Sequence, residues 1–292
     1  MKPLLILAPS PARWQVVEHL LGHQGEAWVD DMRRRLVEGL ANCQDAVAVI
    51  PEGAGAVAGA CIRRRGDTGV LGHVFTAPAQ RKQGHARSLL QTLLSWFDMT
   101  GGRWLYLTSP RDAATYLFEN FGFRALHHSS EPDGQVTMMR TPANASESPF
   151  GSMTGRVRIR EVTRADWVLI VVLLHHFVGP DPRVGLAQSA LSAEGTALDL
   201  IRQQEGGSCR LLAACHQDRV VGLGSVAVNR EGGRTYAMLL PHDHPPEGLR
   251  EAVLEFASKQ GYAQVDFPME ALAVTPAPGT PVDDQPSPRS TD

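Results

Sequence analysis

The sequence predicts an α/β protein made of two successive segments with the same order of elements. Three observations carry that prediction. Short strand-like apolar runs alternate with longer runs whose apolar residues recur at helical spacing. The stretch 141–155, TPANASESPFGSMTG, is rich in Pro, Ser and Gly, has no periodicity and reads as a linker. The order strand, two helices, three strands, helix, strand precedes this linker and recurs after it. The chain of 292 residues is long enough for two domains of about 100 to 150 residues each. The expected domains are 1–140 and 156–270. The tail 271–292 is dominated by Pro, Ser, Thr and Asp, cannot bury apolar surface and is expected to be disordered.

In the first segment Leu4 to Leu7 reads as a strand. Residues 11–22 and 26–41 read as helices, with Val16, Val17, Leu20 and Leu21 at helical spacing. Ala46 to Ile50 and Ala56 to Arg64 are strands around a Pro/Gly turn, and Val70 to Thr76 is a third. A helix over Ala86 to Phe97, a strand over Trp104 to Thr108 and a helix over Ala113 to Phe121 follow. Phe123 to His127 and Gln135 to Met139 close the segment as strands. In the second segment a strand at Val157 to Glu161 precedes helices at 164–177 and 185–204. Arg210 to Cys215 and Val220 to Val228 flank His216-Gln217-Asp218, a hairpin signal. Thr235 to Leu240, Pro246 to Gln260 and Ala263 to Phe267 complete it as strand, helix and strand.

Composition bounds the function. A hydrophobic share of 43% and a charged share of 20% are those of a globular protein. A net charge of -3 argues against a nucleic-acid binder, which carries a basic face. The triplet Arg63-Arg64-Arg65 is read as a solvated strand end. Cys43, Cys61, Cys209 and Cys215 show no metal or disulfide spacing, which predicts reduced thiols and a cytoplasmic setting. No run is long enough to span a membrane; Val168 to Leu174 is ended by His175 and His176.

The chemistry concentrates in Val70 to Phe97, VLGHVFTAPAQRKQGHARSLLQTLLSWF. A strand ends at Ala77-Pro78, a polar turn follows, and Ala86, Leu89, Leu90, Leu93, Leu94 and Phe97 mark one face of a helix. The first turn of a helix has unpaired N–H groups and partial positive charge. Gly84 lets an anion approach the backbone, and Arg81, Lys82 and Arg87 add charge, an arrangement suited to a pyrophosphate. Downstream, Ser109 reads as the N-cap of the next helix, with Pro110 at its first position and Asp112 favourable to its dipole.

Arg81-Lys82-Gln83-Gly84-His85-Ala86 matches the (Arg/Gln)-x-x-Gly-x-(Gly/Ala) signature of the GNAT family of N-acetyltransferases. Ala114 to Phe123, ATYLFENFGF, is similar to that family's A-x-x-L-Y-E-x-x-G-F pattern. The resemblance is strong over about 55 residues and covers 45–140 in element order. It implies a mixed, twisted sheet whose fourth and fifth strands splay apart, with a second, degenerate domain of the same kind in 156–270. It also implies acetyl-CoA as donor. The main chain of Val74, Phe75 and Thr76 would pair with the pantetheine, and Arg81, Lys82, Gln83, Gly84, His85, Ala86 and Arg87 would hold the pyrophosphate, His85 facing solvent. The implied reaction is direct acyl transfer from the thioester to an amine of a small molecule or protein, through a tetrahedral intermediate.

The match departs from the family at the position that often carries a Tyr to protonate the leaving thiolate. Phe118 stands there, beside the donor, and has no proton to give. Tyr116, two residues away, lies about 200° round the helix. His73 is the other catalytic candidate. The family's base positions on this strand fall on even residues such as Val70 and Gly72, so alternation turns His73 to the opposite face. No metal is expected; His242-Asp243-His244 is read as a turn before a helix. The alternative to an N-acetyltransferase is a non-catalytic acyl-CoA-binding regulatory module, motivated by Phe118; a scaffold that binds no CoA is a third reading. Neither nucleic acid nor membrane is an expected partner, and the chain is expected to be a monomer or a homodimer.

Overall fold

The computed structural model describes residues 2–22, 24–110, 113–128, 134–141, 149–150, 157–177, 192–229, 234–241, 245–260 and 265–266. The expected tail, most of the expected linker, the 242–244 triplet and Asp112 lie outside them.

The first half runs β1 (Leu4–Leu7), α1 (Trp14–Leu21), α2 (Glu26–Arg33), β2 (Cys43–Glu52), β3 (Gly55–Arg65), β4 (Thr68–Thr76), α3 (His85–Met99), β5 (Trp104–Pro110), α4 (Ala113–Glu119), β6 (Arg124–His128) and β7 (Gln135–Arg140). Its sheet has the order β1-β2-β3-β4-β5-β7-β6. Only β4 and β5 pair in parallel, so the sheet is mixed. Alternation sorts the strand residues between two cores. Ala46, Ala48 and Ile50 of β2 join the cluster under α3, while Val47 and Val49 join the one under α1 and α2. Leu89, Leu90, Leu93 and Phe97 of α3 are fully buried there. At Gly59 a Cβ would stand 2.4 Å from Leu20 Cδ1, so a glycine is what lets α1 lie close on β3.

The second half runs β8 (Arg158–Glu161), α5 (Trp167–Phe177), α6 (Ala193–Glu205), β9 (Cys209–His216), β10 (Arg219–Asn229), β11 (Arg234–Leu240), α7 (Leu249–Lys259) and β12 (Val265–Asp266). Its strands lie in the order β12-β11-β10-β9-β8, and only β11–β12 is parallel. Order and pairing sense both repeat those of β1 to β5. Gly248, at φ 79°, immediately precedes α7 as Gly84, at φ 80°, precedes α3.

The halves share a core. Every residue of α5 from Trp167 to His175 is buried, which a helix apolar on all sides requires. Val70, Trp104 and Tyr106 of the first sheet belong to the same cluster as α5, α6 and β10. From the linker region, Phe150 is buried against His176 and Phe177.

Two sequence expectations fail here for identifiable reasons. Ser109 and Pro110 do not start a helix: β5 continues through them because they pair with Val136 and Gln135 of β7. The Arg63-Arg64-Arg65 triplet is not solvated. Arg63 and Arg64 are 2% and 6% exposed, and all three side chains have partners. Arg63 meets Asp31 at 3.0 Å, an ion pair without hydrogen-bond alignment. Arg64 donates to Thr100. Arg65 reaches across to Asp166 at 2.5 Å. Asp31 also accepts Arg35 at 3.0 Å and Arg164 of the second half at 2.9 Å. Burial works to raise the Asp31 pKa, but Arg63, Arg35 and Arg164 outweigh it and hold it below its usual value.

Candidate active site

β4 and β5 pair only at Thr68–Trp104, Gly69–Leu105 and Val70–Tyr106. Beyond Val70 they part, and β5 turns its other edge to β7. The edge of β4 that faces the gap, Leu71 to Thr76, is therefore free of any ladder among the described residues, an opening for an added extended chain. Its other edge stays on β3, where Phe75 and Thr76 pair with Gly59 and Ala58.

β4 leads through a 3₁₀ turn, Pro78–Gln80, to the polar loop. Arg81 Nε donates to Thr76 O at 3.3 Å and holds the loop to the strand end. Lys82 and Gly84 have φ of 63° and 80°. No side chain caps α3, and the N–H groups from Lys82 to Arg87 donate to no backbone carbonyl among the described residues. A Cβ on Gly84 would meet nothing within 4 Å, so the glycine opens space above the helix end. Arg81, Lys82, Gln83 and Arg87 are exposed around it, and Ala86 is half-buried. His85 is not solvent-facing as expected: it is 7% exposed, and its Nε2 has no hydrogen-bond partner among the described residues. As the first residue of α3 it packs inward from the helix start. Uncapped N–H groups, an open glycine and flanking cations fit a pyrophosphate.

On the gap side of β4 lies a cavity of about 400 Å³. The strand contributes Val70 to Val74, and here strict alternation breaks. Gly59 pairs with Phe75 and Cys61 with Gly72, so His73 and Val74 stand opposite a single residue in a bulge. His73 has φ 51°. Leu71 and Val74 consequently pack against the same cluster although one number is odd and the other even. The bulge brings His73 into the cavity with Val70 and Gly72, contrary to the alternation argument. Its Nε2 is 3.2 Å from Arg63 Nη2. A guanidinium can only donate, so this nitrogen carries the lone pair. Trp28 meets the imidazole edge-on at 5.3 Å. The Arg63 guanidinium lies 4.5 Å from the Trp167 ring centroid and 5.4 Å from that of Trp28.

The second half closes the cavity. Ser192 caps α6 by accepting from Gly195 N at 3.1 Å, and this start of the helix presents Glu194. Both carboxylate oxygens lie within reach of Thr108 Oγ1 of β5, at 2.8 and 3.0 Å. His175 Nε2 stands 3.4 Å away, an ion-pair distance without hydrogen-bond alignment. Burial would raise the Glu194 pKa; His175, the backbone and Thr108 outweigh it and bring the group down to about 2. Behind it, His175 Nδ1 faces Thr137 at 3.2 Å and its ring stacks on Tyr106. Tyr106 Oη is 2.8 Å from His176 Nε2. Burial, then the like charges of His175 and His127, lowers the His176 pKa to about 4.

The remaining candidates lie apart from this cavity. Tyr116 is 71% exposed on α4. Phe118 is 5% exposed and packs edge-on against Phe123 at 5.9 Å. Sequence reasoning missed Glu194, Thr108, Gln135, Trp28 and Trp167 as cavity residues. Only the Ser-x-Glu start of α6 gave a local sign, and it signals a helix start rather than a site. Among the described residues no three His, Cys, Asp or Glu side chains converge as a metal site would, and no helix is long and apolar enough to cross a membrane.

Comparison with known proteins bears on residues 44–125, which match the family described as acetyltransferase (GNAT) domain. No curated protein matches the chain. Among solved structures, a Desulfovibrio desulfuricans protein assigned to the GNAT family of acetyltransferases is similar at 18% identity and a TM-score of 0.38, over 48% of this chain and 98% of its own. Escherichia coli ElaA is similar at 16% identity and 0.36, over 48% and 98%. A GNAT-family acetyltransferase of Staphylococcus aureus is similar at 15% and 0.35, over 47% and 99%. The matched segment holds β2 to α4, including the loop at Arg81–Ala86 and the parting of β4 from β5, and the chain thus carries in residues 44–125 an acetyltransferase domain of the GNAT family.

Proposed function

We propose that the chain transfers an acetyl group from acetyl-CoA to an amine. The observation that supports this best is a single cleft with two complementary parts. One is the unpaired edge of β4 leading to the uncapped end of α3. The other is the cavity, which opens on the same strand and reaches Val74. In this reading the main chain of Val74 to Thr76 holds the pantetheine arm, and the N–H groups of Gln83 to Arg87, with Arg81 and Lys82, hold the pyrophosphate. When bound, the donor supplies a thioester carbonyl at the cavity. The amine occupies the cavity, between His73 and Glu194.

The residues set the proton chemistry. A general base works best when its pKa lies near the operating pH. Glu194, at about 2, is too acidic to take a proton from an ammonium and instead attracts one. The lone pair of His73 Nε2 is engaged by Arg63. The reaction therefore draws on amine that is already neutral, and its rate rises with pH toward the amine's own pKa. Phe118 leaves the thiolate to take its proton from water. The second half acts as a degenerate copy that closes the acceptor site with Trp167 and Glu194. Four free cysteines are consistent with a cytoplasmic setting.

Phe118 keeps one other reading in play, an acyl-CoA-binding module without turnover. Thiol release from acetyl-CoA by the full chain across a panel of amines separates the two. Amine-dependent release supports the transferase; tight acetyl-CoA binding with no release for any amine supports the module.

A further inference from the structure

Resting on the acetyl-transfer reading above, we infer that the acceptor is a small molecule with a second, cationic nitrogen, which Glu194 and Gln135 hold while the other amine reacts.

The cavity wall carries the Arg63 guanidinium and the Glu194 carboxylate, and it is Glu194 that is open to a cation. Arg63 is charge-paired with Asp31 at 3.0 Å, though its Nε and Nη1 donate to no partner among the described residues. Glu194 has no arginine or lysine within ion-pair distance among the described residues; His175 is its ion-pair partner. A carboxylate has about four lone-pair sites. The single hydroxyl hydrogen of Thr108, His175 and the backbone leave at least one free, and Glu194 lines the cavity. A second acceptor lines the same space: Gln135 Oε1 is buried and has no hydrogen-bond partner among the described residues. A buried acceptor left unpaired is costly and is rare in native structures. An ammonium has three donors and can satisfy both groups together. Trp28 and Trp167 supply aromatic walls that suit a cation's alkyl stem.

The reacting nitrogen is a different one. It must be neutral to attack, and a carboxylate as acidic as Glu194 stabilises the charged form of whatever it holds. Two nitrogens with opposite requirements imply a diamine. The cavity volume, about 400 Å³, lies in the small-molecule range and leaves room for a short diamine.

The test is calorimetric titration of the full chain with butane-1,4-diamine and with butan-1-ol, which has the same alkyl stem and no ammonium, each with and without acetyl-CoA. The diamine should bind at least about tenfold more tightly than the alcohol. Glu194→Gln should bring the two within about twofold, and Gln135→Leu should weaken the diamine severalfold. Near-ultraviolet circular dichroism checks that each variant is folded; if Glu194→Gln is not, the wild-type ratio and Gln135→Leu decide. Equal binding of the diamine and the alcohol, no diamine binding, or a preference that survives in folded Glu194→Gln overturns the inference. Acetyl-CoA binding without a diamine preference sinks this assignment alone. Absence of acetyl-CoA binding sinks the donor reading, while the donor-free titrations still report on the diamine.

Discussion

Asp31→Ala should destabilise the whole chain and not just the first half. The carboxylate receives Arg35 at 3.0 Å, Arg63 at 3.0 Å and Arg164 at 2.9 Å. After its removal Arg35 keeps Asp45 at 3.3 Å, and Arg164 keeps Glu205. Arg63, 2% exposed, is left with indole faces and a neutral imidazole nitrogen but no carboxylate. Stranding a buried charge costs about 3–5 kcal/mol. At about 2–4 °C per kcal/mol for a chain of this size, the midpoint should fall by roughly 6–20 °C. The exposed pair Lys259–Glu255, with side chains 68% and 66% exposed, is the control; its loss should leave the midpoint unchanged. Thermal unfolding followed by circular dichroism at pH 7.5 measures both. Since Asp31 joins α2, β3 and the second half, wild type and variant should each unfold in one transition. Adding Arg63→Met should restore most of the loss, because an apolar replacement removes the stranded charge. A loss under about 1 kcal/mol, or no recovery in the double variant, would refute the reasoning.

Stability should fall in two stages as pH drops. His176 has its folded pKa depressed from 6.5 to about 4, so the unfolded chain binds the proton first; its contribution, on the order of 3 kcal/mol, is present above pH 6.5 and lost toward pH 4. Glu194, lowered from 4.5 to about 2, with Asp31 and Asp166 also lowered, gives a second loss below pH 4.5. His176→Gln, which keeps an acceptor for Tyr106, should flatten the first stage in urea titrations and leave the second. Phe118→Tyr places a hydroxyl on a ring that is 5% exposed beside Phe123. It should lower the stability read from urea titration by about 1–3 kcal/mol while leaving thiol release at or above wild type; a large drop in turnover at full folding would give Phe118 a catalytic role.

What the sequence made legible is what depends on near neighbours. The face of α3, Leu89 to Phe97, follows from helical spacing, and Gly84 at its start from the need for an open, left-handed turn. The bulge at His73 was hidden because alternation assumes an unbroken ladder, and nothing in a histidine announces a positive φ. Arg63 and Arg65 look like solvated charge until Asp31 and Asp166 arrive, the latter 101 residues from Arg65. Glu194 is 86 residues from Thr108, and only the packing of the second half on the β4–β5 gap joins them. Ser109 and Pro110 carry genuine helix-start chemistry, yet the ladder to β7 outweighed that local preference.

The claim on which everything else rests is that the end of α3 and the open edge of β4 form an acyl-CoA site. Calorimetric titration of acetyl-CoA into the full chain and into Gly84→Glu tests it most directly. Wild type should bind in the micromolar range or tighter, about 8 kcal/mol or more in free energy. A glutamate at φ 80° would be strained and would bring a carboxylate into the phosphate cradle, so the variant should show no measurable binding while remaining folded. Wild type that fails to bind acetyl-CoA, or a folded Gly84→Glu that binds it as well as wild type, would contradict the account.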